Sequence, residues 1–239
     1  MDRIESHRLF YANLIMANAG VPVRDSRLAA AFAATPRERF VGPGPWRVFT
    51  SVGYLDTPTD DPAFLYQDIV VALEESAQIN NGQPALHAYC LAALKVKEGE
   101  AVVHIGAGTG YYTAVLARLV GPGGSISAYE IDEKLAARAK VNLREFPNVS
   151  VHARSGVEGS LPSCDVIYVN AGATGPLDAW LDALRPGERL MFPLTPAEGP
   201  GGMLLVSRGA NDTFDALMLL PVMFIPCVGA RDEETAKKL

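Results

Sequence analysis

The chain has 239 residues, of which 49% are hydrophobic, and this suits one globular unit with an ordinary core and perhaps a small attachment rather than two large domains. Its formal net charge is -6 and it carries no Lys/Arg run longer than Lys237-Lys238, so a phosphate-backbone partner has no electrostatic footprint. Three cysteines, Cys90, Cys164 and Cys227, stand far apart among apolar neighbours and read as buried reduced thiols of a cytoplasmic protein, with no metal-ligand spacing. The opening Met1-Asp2-Arg3-Ile4-Glu5 leads into no long apolar run, so neither a signal peptide nor a membrane span is expected.

In chain order, helical spacing covers about Ile4 to Asn18 and Ser26 to Ala34, with Pro22 between, and predicts a small helical cap. From Gly42 to Pro62 the chain is rich in Gly, Pro, Asp and Thr and reads as an irregular connection. Asp68 to Leu73 predicts a short strand, and Ala85 to Leu94, entered through Pro84, a helix. Strand and helix then alternate: strand Ala101–Ile105, helix Tyr111–Val120, strand Ser125–Tyr129, helix Glu133–Phe146, strand Val149–Val151, strand Val166–Val169, helix Leu177–Leu184 and strand Arg189–Phe192. Two late strands, Met203–Val206 and Leu217–Ile225, follow without a helix between them. The expected class is α/β, a doubly wound Rossmann-like sheet with antiparallel C-terminal strands and an N-terminal helical cap. Residues 1–80 form the cap and irregular connection, and residues 81–239 the ligand-binding domain.

Between the first strand and helix of that domain stands Gly106-Ala107-Gly108-Thr109-Gly110, where glycines allow a sharp turn and close approach of backbone to a ligand facing the helix N-terminus. The next strand ends at Glu130, about twenty residues on, where a carboxylate can accept both ribose hydroxyls of a nucleoside. A nicotinamide dinucleotide would use the same geometry with G-x-G-x-x-G. The tighter G-x-G-x-G spacing favours S-adenosyl-L-methionine, which has no pyrophosphate to fit.

With these residues in place, the chain resembles the protein-L-isoaspartate (D-aspartate) O-methyltransferases over most of its length. Pro36-Arg37-Glu38-Arg39-Phe40-Val41 is similar to the family's P-R-E-x-F-V, Gln83-Pro84 with His87-Ala88-Tyr89 to its S-x-P-x-x-H-A-Y, and Ile105 to Tyr111 to its I-G-[TS]-G-S-G-Y. Asn148-Val149, Asp165-Val166-Ile167, Arg185 to Leu190 and Phe224-Ile225-Pro226-Cys227-Val228 follow in family order. The resemblance implies S-adenosyl-L-methionine as methyl donor, a carboxyl acceptor on a protein, peptide or small molecule, and no nucleic-acid or membrane partner. It implies a cofactor site of His104, Gly106, Ala107, Gly108, Thr109, Gly110, Glu130, Ser155 and Gly156, and an acceptor site at Gly82, Gln83 and His87.

Three positions depart from the pattern. The family's active-site serine falls on Gly82, its acid before the glycine loop on His104, and the aspartate expected to meet the adenine amino group on Ser155. His104 reads either as a cofactor contact or as a hydrogen-bonded core histidine, and Asn80-Asn81-Gly82 either as a rebuilt acceptor lining or as a turn. The connection between Val41 and Tyr66 is longer than in a typical member. A carboxylate acceptor is ionised at neutral pH and needs no base, whereas an amine or hydroxyl would call on His87. The expected function is an S-adenosylmethionine-dependent carboxyl methyltransferase with an altered acceptor; the alternatives are action on a small metabolite or modified peptide, or cofactor binding without turnover.

Overall fold

The computed structural model describes residues 2–20 and 26–239; Pro22 lies outside them. Helices α1 (Arg3–Asn18), α2 (Ser26–Ala33) and the short α3 (Glu38–Val41) open the chain. The connection expected to be irregular contains a hairpin, β1 (Arg47–Thr50) and β2 (Gly53–Asp56), with Phe49 opposite Tyr54 and the turn closed by Gly53 at φ 113°. Trp46 closes its base, donating from its indole to Gly42 O and from its backbone to Thr57 Oγ1, both at 2.9 Å.

The strand expected at Asp68–Leu73 is largely replaced. Only β3 (Ala72–Glu74) pairs, with β4 (Ile79–Asn80), while Val71 bridges to Val48 of the hairpin. The backbone here is satisfied piecemeal: the buried Arg37 guanidinium takes the carbonyls of Leu65 (2.7 Å), Gln67 (3.0 Å) and Ile69, Phe49 N donates to Val70 O at 2.9 Å, and Val71 donates to Asn81 Oδ1 and accepts from Asn81 N.

Beyond it lie α4 (Pro84–Leu94), β5 (Ala101–Ile105), α5 (Tyr111–Val120), β6 (Ser125–Glu130), α6 (Glu133–Asn142), β7 (Val149–Ala153), β8 (Cys164–Val169), α7 (Asp178–Ala183), β9 (Leu184–Leu194), β10 (Gly201–Arg208), β11 (Phe214–Val222) and α8 (Glu233–Ala236). Helix α6 stops four residues short of Phe146 because Pro147 disfavours helical backbone in the residue before it, and the chain closes with a turn from Phe146 N to Leu143 O.

The seven-stranded sheet runs β11-β10-β9-β8-β5-β6-β7, with β7, β6, β5, β8 and β9 mutually parallel and β10 antiparallel to both its neighbours. This is the doubly wound sheet with an antiparallel end that the strand–helix pattern implied. Both faces of its parallel part are covered, as such strands require. Val102, Ala128, Val166 and Tyr168 share one core with α1, α2, α4 and α5, and Val103, Ile105, Ile167 and Val169 share another with Trp180 and Phe192. Strand order reverses at β5, between β6 and β8. The crevice at the C-terminal ends of these strands is where such sheets bind ligands. Among the described residues no helix is long and apolar enough to cross a membrane.

Candidate active site

The glycine loop leaves β5 and enters α5 with Gly106, Gly108 and Gly110 at φ 75°, 56° and 96°. A Cβ on Gly110 would lie 2.7 Å from Leu143 Cδ1, so handedness and space both call for glycine there, whereas at Gly106, with 3.4 Å to the Asn170 backbone, it is the positive φ that does. Gly106 and Ala107 donate their N–H groups to Tyr129 O at 2.9 and 3.1 Å, which fixes the loop against β6. Thr109 turns its side chain away, donating to Phe40 O at 2.5 Å and tying the loop to the Pro36–Val41 segment. Only its backbone can therefore face a ligand in the loop.

Glu130 ends β6 beside this loop. Its carboxylate accepts from Gly108 N at 2.7 Å and Asp132 N at 3.0 Å, and burial raises its pKa while those N–H groups hold it down. Both carboxylate oxygens retain lone pairs for a diol.

A cavity of about 870 Å³ opens at the switch point. Gly106, Ala107, Gly108, Thr109 and Asn170 line one side; Asp68, Gly82, Gln83 and His87 line the other. Phe49 and Tyr54 of the hairpin and the stretch from Leu220 to Pro226 form its outer walls.

His87, on α4, is 2% exposed. Its ring stacks on Tyr112 with centroids 3.6 Å apart, its Nδ1 meets the Tyr168 hydroxyl at 2.7 Å, and burial holds its pKa well below the usual histidine value. Its Nε2 points at Gly82, where an added Cβ would lie only 2.2 Å away. Imidazole thus occupies the space a side chain at position 82 would need. Asn80 Oδ1 accepts from Gly82 N at 2.9 Å, forming an Asx turn, and all of Asn80, Asn81 and Gly82 line the cavity, so the turn and the lining are one structure. Gln83 precedes α4 and donates to Asp68 at 3.1 Å, while Asp68 also accepts from Ala85 N at 2.8 Å at the start of that helix.

His104 lies elsewhere. It is fully buried, with Nδ1 2.8 Å from Thr113 Oγ1 and Nε2 2.8 Å from the Asn170 amide, stacks on Tyr168, and is held neutral by burial with a pKa of about 3. The structure places it as a hydrogen-bonded core histidine behind the cavity wall. Ser155 Oγ accepts from Val157 N at 3.2 Å, and Gly156 O accepts from the Trp180 indole at 3.0 Å. A Cβ on Gly156 would lie 2.8 Å from Ile105, so glycine there serves the close passage of the chain past β5. His104, Glu130, Ser155 and Gly156 are not among the residues lining the cavity. Sequence reasoning missed Arg37, Asp68, Tyr112, Tyr168 and Asn170 as site-building groups, because each acts through partners distant in the chain.

A sequence profile described as protein-L-isoaspartate(D-aspartate) O-methyltransferase matches residues 12–232. The chain belongs to this family. Among related methyltransferases, the protein-L-isoaspartate O-methyltransferase of Anaeromyxobacter dehalogenans (strain 2CP-1) is 35% identical over 210 residues, which is 85% of this chain and 90% of that one. That of Brucella anthropi is 29% identical over 87% of this chain and 88% of its own. A solved protein-L-isoaspartate O-methyltransferase superposes with a TM-score of 0.75 at 25% identity, covering 91% of this chain and 65% of that longer one. A putative family member from Plasmodium falciparum, in complex with S-adenosyl-L-homocysteine, shares the fold with a TM-score of 0.72 at 16% identity, over 91% and 97% of the two chains.

The protein is therefore an O-methyltransferase of the isoaspartyl family that uses S-adenosyl-L-methionine. Its residues fit that cofactor. Gly106 and Gly108, without Cβ atoms, line the cavity floor, the Glu130 carboxylate lies beside them at Gly108 N, and the cavity of about 870 Å³ falls in the range of about 300–1,000 Å³ usual for such ligands.

Proposed function

We propose that the protein methylates a carboxylate of a peptide acceptor, with the acceptor held by His87 rather than by a serine. The observation that carries this is the imidazole of His87 facing Gly82 inside the cavity. The bound cofactor supplies an electrophilic methyl group, and the chain's task is to hold an ionised oxygen in line with it and keep water out.

His87 is taken with its ring proton on Nε2, facing the cavity, and Nδ1 against the Tyr168 hydroxyl. Burial pushes the Cys90 thiol up to about 12, so it stays protonated, and it lies in hydrogen-bond contact with Tyr168. With Tyr168 donating to His87 Nδ1, the tautomer taken here, the ring proton sits on Nε2. A neutral N–H at that place can hold a carboxylate and cannot act as a base. This supports carboxyl methylation over amine or hydroxyl methylation.

The outer walls support a peptide with apolar neighbours. Phe49 is 55% exposed and Met223 82% exposed, and both line the cavity, giving it an apolar rim that a short charged metabolite would leave unused. Residues 1–80 act as cap and acceptor wall on the cofactor-binding part of 81–239. A cavity whose one lining carboxylate among the described residues is Asp68, in a chain of net charge -6, suits neither nucleic acid nor an anionic membrane. Three free, buried thiols fit work in the cytoplasm.

Labelled S-adenosyl-L-methionine with isoaspartyl peptides tests the reading. Base-labile label is expected, with aromatic or aliphatic residues beside the isoaspartate giving the higher kcat/KM. Label that resists base, or no transfer to any carboxyl peptide by protein that binds S-adenosyl-L-homocysteine, overturns it.

A further inference from the structure

The β1–β2 hairpin stands in the connection that is longer here than in a typical member of the family, and its two faces differ. Val48 packs with Trp46, Leu65 and Val71 in a small core of its own and bridges to Val71, which holds the hairpin to the body of the protein. The other face turns the cross-strand pair Phe49 and Tyr54 to the cavity, with ring centroids 5.3 Å apart. Tyr54 is half-buried and so stays open to a ligand.

Tyr54 brings a hydroxyl to the wall that lost one. The phenol lies within hydrogen-bond reach of the Asn80 side chain. Asn80 Oδ1 accepts from Gly82 N at 2.9 Å, and with the oxygen so assigned the NH2 group is left for the phenol oxygen. A single amide group therefore spans from Tyr54 to the position where the family carries its serine. With its oxygen accepting from Asn80, the phenol has its proton to give to a ligand. Burial, and after it the charge of Glu75, raise the Tyr54 pKa above the usual tyrosine value, so the group is a neutral donor at neutral pH. Glu75 does not bar an anionic acceptor, because Arg47 pairs with it, meets Asp56 at 3.3 Å, and lies 5.8 Å from the centre of the Tyr54 ring.

We propose that Tyr54 is an acceptor-binding residue, whose hydroxyl donates to the acceptor carboxylate as a second donor beside His87 and stands in for the serine hydroxyl absent at Gly82. The proposal rests on the carboxyl-acceptor reading above. The lengthened connection and the missing serine are then one exchange. The hydroxyl comes from the hairpin, while His87 fills the space that a side chain at position 82 would take.

Calorimetry on the full chain saturated with S-adenosyl-L-homocysteine tests it, with an isoaspartyl peptide and its isoasparaginyl analogue, in which a neutral carboxamide replaces the carboxylate. The wild type is expected to prefer the isoaspartyl peptide. Tyr54→Phe removes one oxygen and keeps the ring. It is expected to weaken the isoaspartyl peptide by about tenfold and the analogue by less, because a hydrogen bond to a charged group is worth roughly twice one to a neutral group. The preference should narrow, KM for transfer should rise with kcat nearly unchanged, and S-adenosyl-L-homocysteine should bind as before. Asn80→Ser can still accept from Gly82 N but is too short to reach the phenol, and should lose less than Tyr54→Phe. Equal losses for both peptides would make Tyr54 a packing residue, and a narrowed preference in Asn80→Ser with none in Tyr54→Phe would assign the contact to the Asn80 amide; each overturns the proposal. Wild-type protein that holds S-adenosyl-L-homocysteine yet shows no preference for the isoaspartyl peptide would sink the carboxyl-acceptor reading together with the proposal, whereas a wild-type preference that Tyr54→Phe keeps in full sinks the proposal alone.

Discussion

Gly82→Ser restores the hydroxyl that the resembling family carries, and the structure predicts that it harms the protein. The new Cβ would stand 2.2 Å from His87 Nε2, 2.9 Å from Cδ2 and 3.3 Å from Cε1, at a backbone φ of 71°. Left-handed backbone costs a non-glycine residue roughly 1–2 kcal/mol, and a steric insertion into a packed site costs roughly 1–3 kcal/mol. The ring cannot swing clear, because it is stacked on Tyr112 and bonded to Tyr168. We therefore expect roughly 2–5 kcal/mol of lost stability in urea unfolding and no gain in transfer to isoaspartyl peptides. The companion His87→Ala removes the atoms struck, so the double variant should recover the steric share, a coupling of roughly 1–3 kcal/mol. A Gly82→Ser protein as stable as wild type, or one more active, would refute the account of why glycine stands there.

Gly110→Ala should cost roughly 2 kcal/mol or more and weaken the cofactor, since its Cβ would sit 2.7 Å from Leu143 at φ 96°; urea melts and calorimetry check this. Glu130→Gln should weaken S-adenosyl-L-homocysteine by about tenfold, because a buried carboxylate is the stronger acceptor for hydroxyls; equal binding would remove Glu130 from the site. Phe49→Ala should raise KM for an apolar peptide acceptor while leaving cofactor affinity unchanged, as the residue lines only the outer wall. Acid should destabilise the protein early. Burial lowers the pKa of both His87 and His104, to about 3 for His104, so the unfolded chain takes up protons below about pH 6.5 that the folded one refuses. Stability is then full above that pH and falls by up to about 1.4 kcal/mol per unit for each histidine as pH drops, until the folded rings also protonate. Glu130 works in the opposite sense, because burial raises its pKa and the folded state gains from its protonation as pH falls past the usual carboxylate range. Urea midpoints at pH 7.5 and 5 that coincide would contradict this.

The parallel sheet was legible because each of its strands is a short apolar run bounded by turn residues, and each buried helix has its own period. That the glycine loop and Glu130 stand side by side was legible for a different reason: their spacing is local and is set by neighbouring strand–loop–helix units. The β1–β2 hairpin was hidden by brevity, four residues per strand among glycines and prolines. Asp68–Leu73 has the composition of a strand, but its groups find partners scattered along the chain, Arg37 for Ile69, Phe49 for Val70 and Asn81 for Val71. His104 shows the limit most clearly. Its two readings were equal on the page of the sequence, and they were separated by Thr113, nine residues on, and Asn170, sixty-six residues on. A partner at that separation leaves no periodic trace.

Arg37 concentrates in one side chain what a sheet distributes over many peptide groups. Its guanidinium holds the carbonyls of Leu65, Gln67 and Ile69 and lies 3.4 Å from Asn81 Oδ1, joining the segment before β3 to the turn that carries Gly82. A ladder can lose one rung and keep its shape. Here the wall is fastened through side chains as much as through rungs, by Arg37 and by Asn81, which accepts from Val71 N, so part of what the acceptor meets on that side owes its position to a buried guanidinium that lies outside the cavity lining.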